Sequence, residues 1–221
     1  MAVTQVMVLS RSAKVTVTAT ETDVVLAPKG RIEGHGDNVI VHGNSDALDV
    51  EVPLGSDVVV ATSSGRVRCC GSLGSVSVTS GSGKIAIERA ASVEVRTASG
   101  AISVGDVDGT VGVLTKSGRV DLGSAQRANV TTVNGRITVD SADQVEVNTV
   151  SGRVKVLASR TSSVKVRCVS SNVEVSVPAG VAPATSLVTI TGRVRCDCDT
   201  GSDGDITVKT VSGPITITAG R

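Results

Sequence analysis

One short turn returns through most of the chain in a fixed frame, and it restricts the fold more than any other feature. It stands at Ser64-Gly65, Ser82-Gly83, Ser99-Gly100, Ser117-Gly118, Ser151-Gly152 and Ser212-Gly213, with Asn134-Gly135, Ser170-Ser171 and Thr191-Gly192 as variants. Successive second positions lie 18, 17, 18, 17, 17, 19, 21 and 21 residues apart. Apolar residues sit seven and five before the turn Gly, as in Val76/Val78, Val93/Val95 and Val145/Val147. Others sit two and four after it, as in Ile85/Ile87, Ile137/Val139 and Val154/Val156. Alternation with period two turns one face of each segment inward.

A unit this short, with two such strands, cannot bury its own apolar face; stacked copies can. Like residues then lie over like, about 4.8 Å apart. The expected fold is all-β: a β-solenoid of the single-stranded parallel β-helix type, with nine or more coils of 17–21 residues. Three before the turn Gly stands a small or hydroxyl residue: Thr62, Ser80, Thr97, Thr115, Thr132, Thr149, Cys168, Thr189 or Thr210. It is suited to serving the turn or bonding along the stack. Ala90, Val107, Ala125 and Ala142, seven after the turn, suggest a third, narrow face. A left-handed hexapeptide helix is excluded, because six-residue steps from the apolar positions reach a place usually held by Arg.

The chain has 221 residues and no Phe, Tyr or Trp. A thin interior between close sheets takes Val and Ile and has no room for rings. The same absence removes aromatic anchors for protein interfaces and for base stacking. The net charge is +1, from 22 basic and 21 acidic residues, so no global field favours nucleic acid or membrane. No apolar run approaches the roughly 20 residues that span a bilayer. The start, MAVTQVMVLSRSAK, lacks a basic opening and a long apolar stretch, and the five cysteines are odd in number. These features set the expectation of a soluble cytoplasmic protein.

Residues 1–47 are less regular and read as a β cap or degenerate coils. Val6–Leu9, Val15–Val17, Val24–Leu26 and Val39–Val41 are the strand candidates there, and Gly30-Arg31-Ile32 is a weak corner. Residues 48–221 form the repeat domain of what is expected to be one continuous domain. The phrase Val50-Glu51-Val52-Pro53-Leu54-Gly55 returns as Val175-Ser176-Val177-Pro178-Ala179-Gly180. It marks either a second-order duplication with a seam near residue 178 or an insertion bulging from one stack. Ile215-Thr216-Ile217-Thr218 is uncharged and rich in β-formers, and is expected to be an unguarded edge.

Five features could carry chemistry. Arg66, Lys84, Arg119, Arg136, Arg153 and Arg193 all follow the turn directly and would form a basic column. Like charges at the rung spacing repel by about 1 kcal/mol per pair in water, so the column asks for paired acids or an anionic partner. Asp121, Asp140 and Glu174 are the nearby acids that could balance it. Cys69, Cys70, Cys168, Cys196 and Cys198 lack paired Cys-x-x-Cys spacing; Cys69 and Cys196 take inward positions, and no metal is expected. Asp197, Asp199, Asp203 and Asp205 surround Gly201 and Gly204 without the full calcium-loop pattern, and read as an acidic turn. His35 and His42 have opposite parity on a strand and make a poor pair. Gly81-Ser82-Gly83-Lys84 imitates a phosphate loop, but Ile85 replaces the Ser or Thr and a strand follows.

VEVPLGSDVVVATSSGRV, the serial SGRV or SGKI turns and TVSGPITI resemble the bacterial β-strand-repeat family known as putative adhesins or toastrack domains. The resemblance covers roughly residues 48 to 221. It implies a scaffold, in a family associated with envelope-stress systems and without known catalytic residues. Many members follow a membrane segment or a small helical domain, neither of which is read here. Many also have Asp or Asn after the turn Gly, where this chain has Arg. The expectation is a non-catalytic scaffold or interaction protein with no cofactor and no small-molecule substrate. It would assemble with itself or a protein partner. The alternatives are an adhesin-like module gripping a polyanion through the basic column and, further off, a carboxylate enzyme acting on glycans.

Overall fold

The structure is a computed structural model and describes residues 5–35, 38–43, 47–159 and 162–220. Residues 1–4, part of the start read for a leader, lie outside that range. All regular structure among the described residues is β. The strands are β1 (Gln5–Ser10), β2 (Lys14–Thr20), β3 (Gly30–His35), β4 (Asn38–Gly43), β5 (Ala47–Pro53), β6 (Asp57–Val107), β7 (Thr110–Leu157), β8 (Ser163–Val177), β9 (Ala184–Thr191), β10 (Val194–Asp197), β11 (Asp205–Ser212) and β12 (Ile215–Ala219). They divide between two compact units, Met1–Gly109 and Thr110–Arg221.

β6 has 51 residues and β7 has 48. A straight strand of that length would run to roughly 160 Å. In unit 1, β6 instead bends at each Ser-Gly corner and pairs with its own earlier lap. Gly74 N donates to Ser56 O at 2.9 Å, and Asp108 N to Ala90 O at 3.2 Å. The corner glycines Gly65, Gly83 and Gly100 have φ of 129°, 134° and 143°, a region that favours glycine. A Cβ on Gly83 would collide with the Gly65 carbonyl, and one on Gly100 with that of Gly83. The repeated Gly is therefore required twice over, by backbone conformation and by the lap beneath.

The laps bury the residues that the alternation assigns inward. Val58, Val60, Val67, Cys69, Val76 and Val78 are wholly buried in unit 1, as are Val147, Val154, Val156, Val164 and Val166 in unit 2. Ala90, Val107 and Ala142 are buried on the narrow face, whereas Ala125 is only half-buried.

The order of the laps differs from the order of the chain. In unit 1, β1 pairs in parallel with both β4 and β6, and β2 with both β5 and β6. The first rung, β1–β2, is thus slotted between the rung β4–β5 and the first lap of β6. In unit 2, β11 pairs in parallel with β8 and β9, and β12 with β8 and β10. The last rung, β11–β12, is slotted between β8 and the rung β9–β10. This corrects the expectation for the final strand. Ile215 and Ile217 are wholly buried with a neighbour on each side, and among the described residues of unit 2 the one-sided rung is β9–β10.

The recurring Val-Pro phrase marks both places where the chain skips a rung. Ser56 N donates to Pro53 O at 3.2 Å, and Val181 N to Pro178 O at 3.3 Å. Gly55 and Gly180 have φ of 75° and 76°. Each is a four-residue turn with Gly at the third place, where a positive φ is needed. After it, β6 begins beyond the slotted β1–β2 rung, and β9 begins beyond the slotted β11–β12 rung. The wider spacings of 21 residues around Gly192 accompany this detour.

Gly30 is not a corner, contrary to its sequence reading. It opens β3, which runs antiparallel to β4, while Leu26 bridges Glu51 of β5. A Cβ on Gly30 would lie 2.8 Å from Val41 Cγ1 and 2.9 Å from Leu48 Cδ1, so the backbone passes directly over the core of that rung.

Candidate functional site

The hydroxyl column has one task. Thr62 Oγ1 donates to Ser64 O at 2.9 Å, Thr97 to Ser99 O at 3.2 Å, Thr115 to Ser117 O at 3.1 Å, and Thr149 to Ser151 O at 3.2 Å. Ser80, Thr132 and Thr210 repeat the contact. Each buried hydroxyl ties down the corner two residues ahead, which supports the side chain that follows the Gly. Thr189, in the one-sided rung, breaks the series, because its Oγ1 has no partner.

Those corners carry the basic column. In unit 2 the Gly135 backbone lies against Gly118, and Gly152 against Gly135, so Arg119, Arg136 and Arg153 occupy successive rungs. Arg153 is in register with Asn172. Pro214 continues the line, since Val173 pairs with Ile215, and Arg193 follows, since Ile215 pairs with Val194. In unit 1, Arg66 and Lys84 are successive, and Lys14 joins them because Val15 pairs with Val67. Sequence reading missed Lys14; its rung lies far from Arg66 along the chain and reaches it only through the slotted topology.

All seven basic residues are exposed. Among the described residues none of them forms an ion pair. Of the acids expected to balance them, Glu174 lies 3.9 Å from Lys155 instead, and Asp121 and Asp140 form no ion pair among the described residues. Among the described residues, no ion pair offsets the repulsion along either column.

An apolar column, also missed, stands on the other side of the same corners in unit 2. It comprises Val133, Val150, Val169, Val211 and Ile190, the last 74 % exposed. Its signal was available, two residues before each turn Gly. It escaped notice because outward apolar residues do not disturb the alternation.

The remaining candidates do not converge. Cys69 is buried, and burial, with Cys70 alongside, pushes its thiol up to about 12. Cys70 is raised by partial burial and by its hydrogen bond with Glu88. Cys196 and Cys198 place their sulfurs 3.1 Å apart. Partial burial and that contact push Cys198 up to about 11. Cys70 and Cys198 stay protonated near neutrality, and the protonated thiol is the poor nucleophile and poor metal ligand. Asp203 accepts from Ala182 N at 3.0 Å, which ties its turn to the loop before β9, and Asp197 accepts from Arg195 Nε at 2.7 Å within β10. His42 lies 3.7 Å from Glu33, and β3 pairs His35 with Asn38. Lys84 lies inside β6, without the helix of a phosphate loop. Among the described residues, no group of three or more His, Cys, Asp or Glu is placed to hold a metal, and no helix is long and apolar enough to cross a membrane.

No curated protein matches the chain. Among solved structures it is similar to a putative cell adhesion protein from Clostridium sporogenes ATCC 15579. That likeness has 10% identity over 99% of this chain and 94% of the other, with a TM-score of 0.21. The sequence matches the family described as Toastrack DUF4097 over residues 3–219. A stack of short laps with serial Ser-Gly corners, matched from end to end, makes this chain a member of the Toastrack DUF4097 family.

Proposed function

We propose that the protein is a non-catalytic β-solenoid scaffold that associates with itself and helps to organise a bacterial envelope- or stress-related assembly. The observation that carries the reading is the one-sided rung β9–β10. Its inward residues Thr185 and Leu187 are only half-buried and Val194 is 43 % exposed, whereas the same columns one rung inward are closed. An unpaired strand edge over an uncovered core is a template for another strand. Light scattering across a dilution series tests it. The expected result is a mass above that of one chain which falls on dilution; one chain's mass throughout would overturn the reading.

A second reading is favoured by a separate observation, the unpaired basic columns. A repetitive polyanion would relieve the repulsion among Arg119, Arg136 and Arg153, with Arg66, Lys84 and Arg193 as further contacts. Such binding should weaken with salt, because released counterions supply much of its free energy. A triple Ala variant at 119, 136 and 153 should lose affinity and flatten the salt dependence, measured with a polyphosphate probe. Unchanged binding would end this reading.

A further inference from the structure

We propose that the β9–β10 edge pairs antiparallel with the same edge of a second copy, about a two-fold axis through Leu187 and Cys196. The proposal rests on the self-association reading above and specifies its surface and its partner.

One observation shows that this rung lacks a neighbour: the inward residues Thr185, Leu187 and Val194 are uncovered, while Ile206, Val208 and Ile215 one rung inward are buried. The partner is identified by self-complementarity. Residues 193–199 read Arg-Val-Arg-Cys-Asp-Cys-Asp. Reversed about Cys196, the segment meets its own opposite charges: Arg195 faces Asp197 of the second copy, and Arg193 faces Asp199. Opposite-charge cross-strand pairs stabilise a ladder and like charges destabilise it, so this edge favours its reversed self over a parallel copy. Arg193, Arg195, Asp197 and Asp199 are all exposed, and the Arg195–Asp197 pair within the chain would be exchanged for the same pairing between copies.

The opposite strand agrees. Inward residues must face inward residues, or the pairing would turn a core column to solvent. In β9 the inward places are Thr185, Leu187 and Thr189, in register with buried Ile206, Val208 and Thr210. Reversal about Leu187 sets Thr185 against Thr189 and Leu187 against itself. Ala184–Thr191 carries no charge, so nothing in β9 opposes the contact. Leu187 lies five residues before Gly192 and Cys196 four after it, nearly equal distances from the corner. One axis can pass through both.

The contact closes at two copies. A head-to-tail chain would need a second edge of the same kind. The corresponding rung of unit 1 is covered by β3, whose outward residues Arg31 and Glu33 are charged, a composition that blunts an edge. An isologous pair consumes its edge and stops.

The test uses two charge variants of the full chain, Arg193→Asp/Arg195→Asp and Asp197→Arg/Asp199→Arg, with circular dichroism to confirm that each folds. Wild type should sediment as a dimer, and each variant alone as a monomer. An equimolar mixture should recover a one-to-one heterodimer. The in-chain Arg195–Asp197 pair is absent from both variants, so recovery on mixing reports contacts between copies. Leu187→Lys, which sets two cations together on the axis, should abolish the dimer, while the outward Val188→Lys should leave it. A wild type that is one chain at every concentration would overturn this proposal and the self-association reading together. A wild-type dimer indifferent to both charge variants would leave self-association standing and overturn this edge, as would variants that stay monomeric when mixed or a wild type that grows beyond two.

Discussion

The rungs β4–β5 and β9–β10 have the same topological standing, yet they are finished differently. Each lies one place beyond a rung made from the nearer chain terminus, and each is joined to the array by a Val-Pro-x-Gly turn. In unit 1 the chain then folds back over the rung: β3 runs antiparallel along β4, Leu26 bridges Glu51, and Leu48 and Val41 are wholly buried. In unit 2 nothing among the described residues covers β9–β10, and its leucine, Leu187, is half-buried. A solenoid lap needs a neighbour on both sides to close its core. An antiparallel strand supplies one without offering a parallel template in turn. The contrast teaches that closing an end rung is a separate device from stacking the laps, and among the described residues the device is applied once.

The largest effect follows from the paired leucines. Leu48→Ala removes a fully buried side chain beneath a fixed cap and should cost about 2–5 kcal/mol. Leu187→Ala, at the uncovered rung, should cost the monomer under about 1 kcal/mol, since most of the transfer free energy was never gained. Urea unfolding of both variants in dilute solution measures the difference; equal costs would mean that the two rungs are closed alike. Next come the skip turns. Gly55 and Gly180 share a φ near 75°, and no atom lies near enough to crowd a Cβ at either. Gly55→Ala and Gly180→Ala should each cost about 1–2 kcal/mol, the strain of a side chain in the left-handed region. Matched shifts in the urea midpoint would confirm that the two turns are equivalent; a cost at only one would break the parallel between the units.

The lap itself was legible in the residues, and the order of the laps was not. Period-two valines and isoleucines fix which side chains point inward, and the corner Gly is dictated locally by its φ and by the carbonyl beneath it. Stacking order is a different kind of information. Every rung presents nearly the same ladder of Val and Ile, so the core chemistry of Ile215–Ile217 is the same beside Val173–Val175 as at an open edge. Only the extra residues after Pro53 and Pro178 recorded the skip, and those were read as a duplication or, in preference, as a bulge. The same gap hid Lys14 from the basic column. It also moved the unguarded edge from residues 215–218 to β9–β10, whose Ile190 and Val188 gave no separate warning. Residues 1–47 were read as a cap or degenerate coils, but the antiparallel strand among them was not recognised for a related reason: such a strand over a core end needs close passage, and Gly30 supplied it while imitating a corner.

Two smaller effects sharpen the comparison at single atoms. Thr149→Val deletes a hydrogen bond to Ser151 O and should cost about 1 kcal/mol, whereas Thr189→Val, whose hydroxyl has no partner, should be neutral or slightly stabilising. A loss at Thr189 equal to that at Thr149 would mean that the outer corner is tied like the others. The smallest effect at neutral pH is expected from Cys69→Val, within about 1 kcal/mol, because other laps hold Val in that column. Its consequence lies at alkaline pH. Burial raises the Cys69 thiol from 9.0 to about 12, so the folded chain keeps a proton that the unfolded chain gives up. That contribution is whole below pH 9 and is lost as pH rises toward 12, since stability falls wherever the unfolded state binds fewer protons. The urea midpoint of the wild type should therefore decline more steeply over this range than that of Cys69→Val. Cys196 holds the same place in its lap but is exposed, so a parallel decline of the two curves would mean that Cys69 shares that openness and that its lap is no better closed than the outer one.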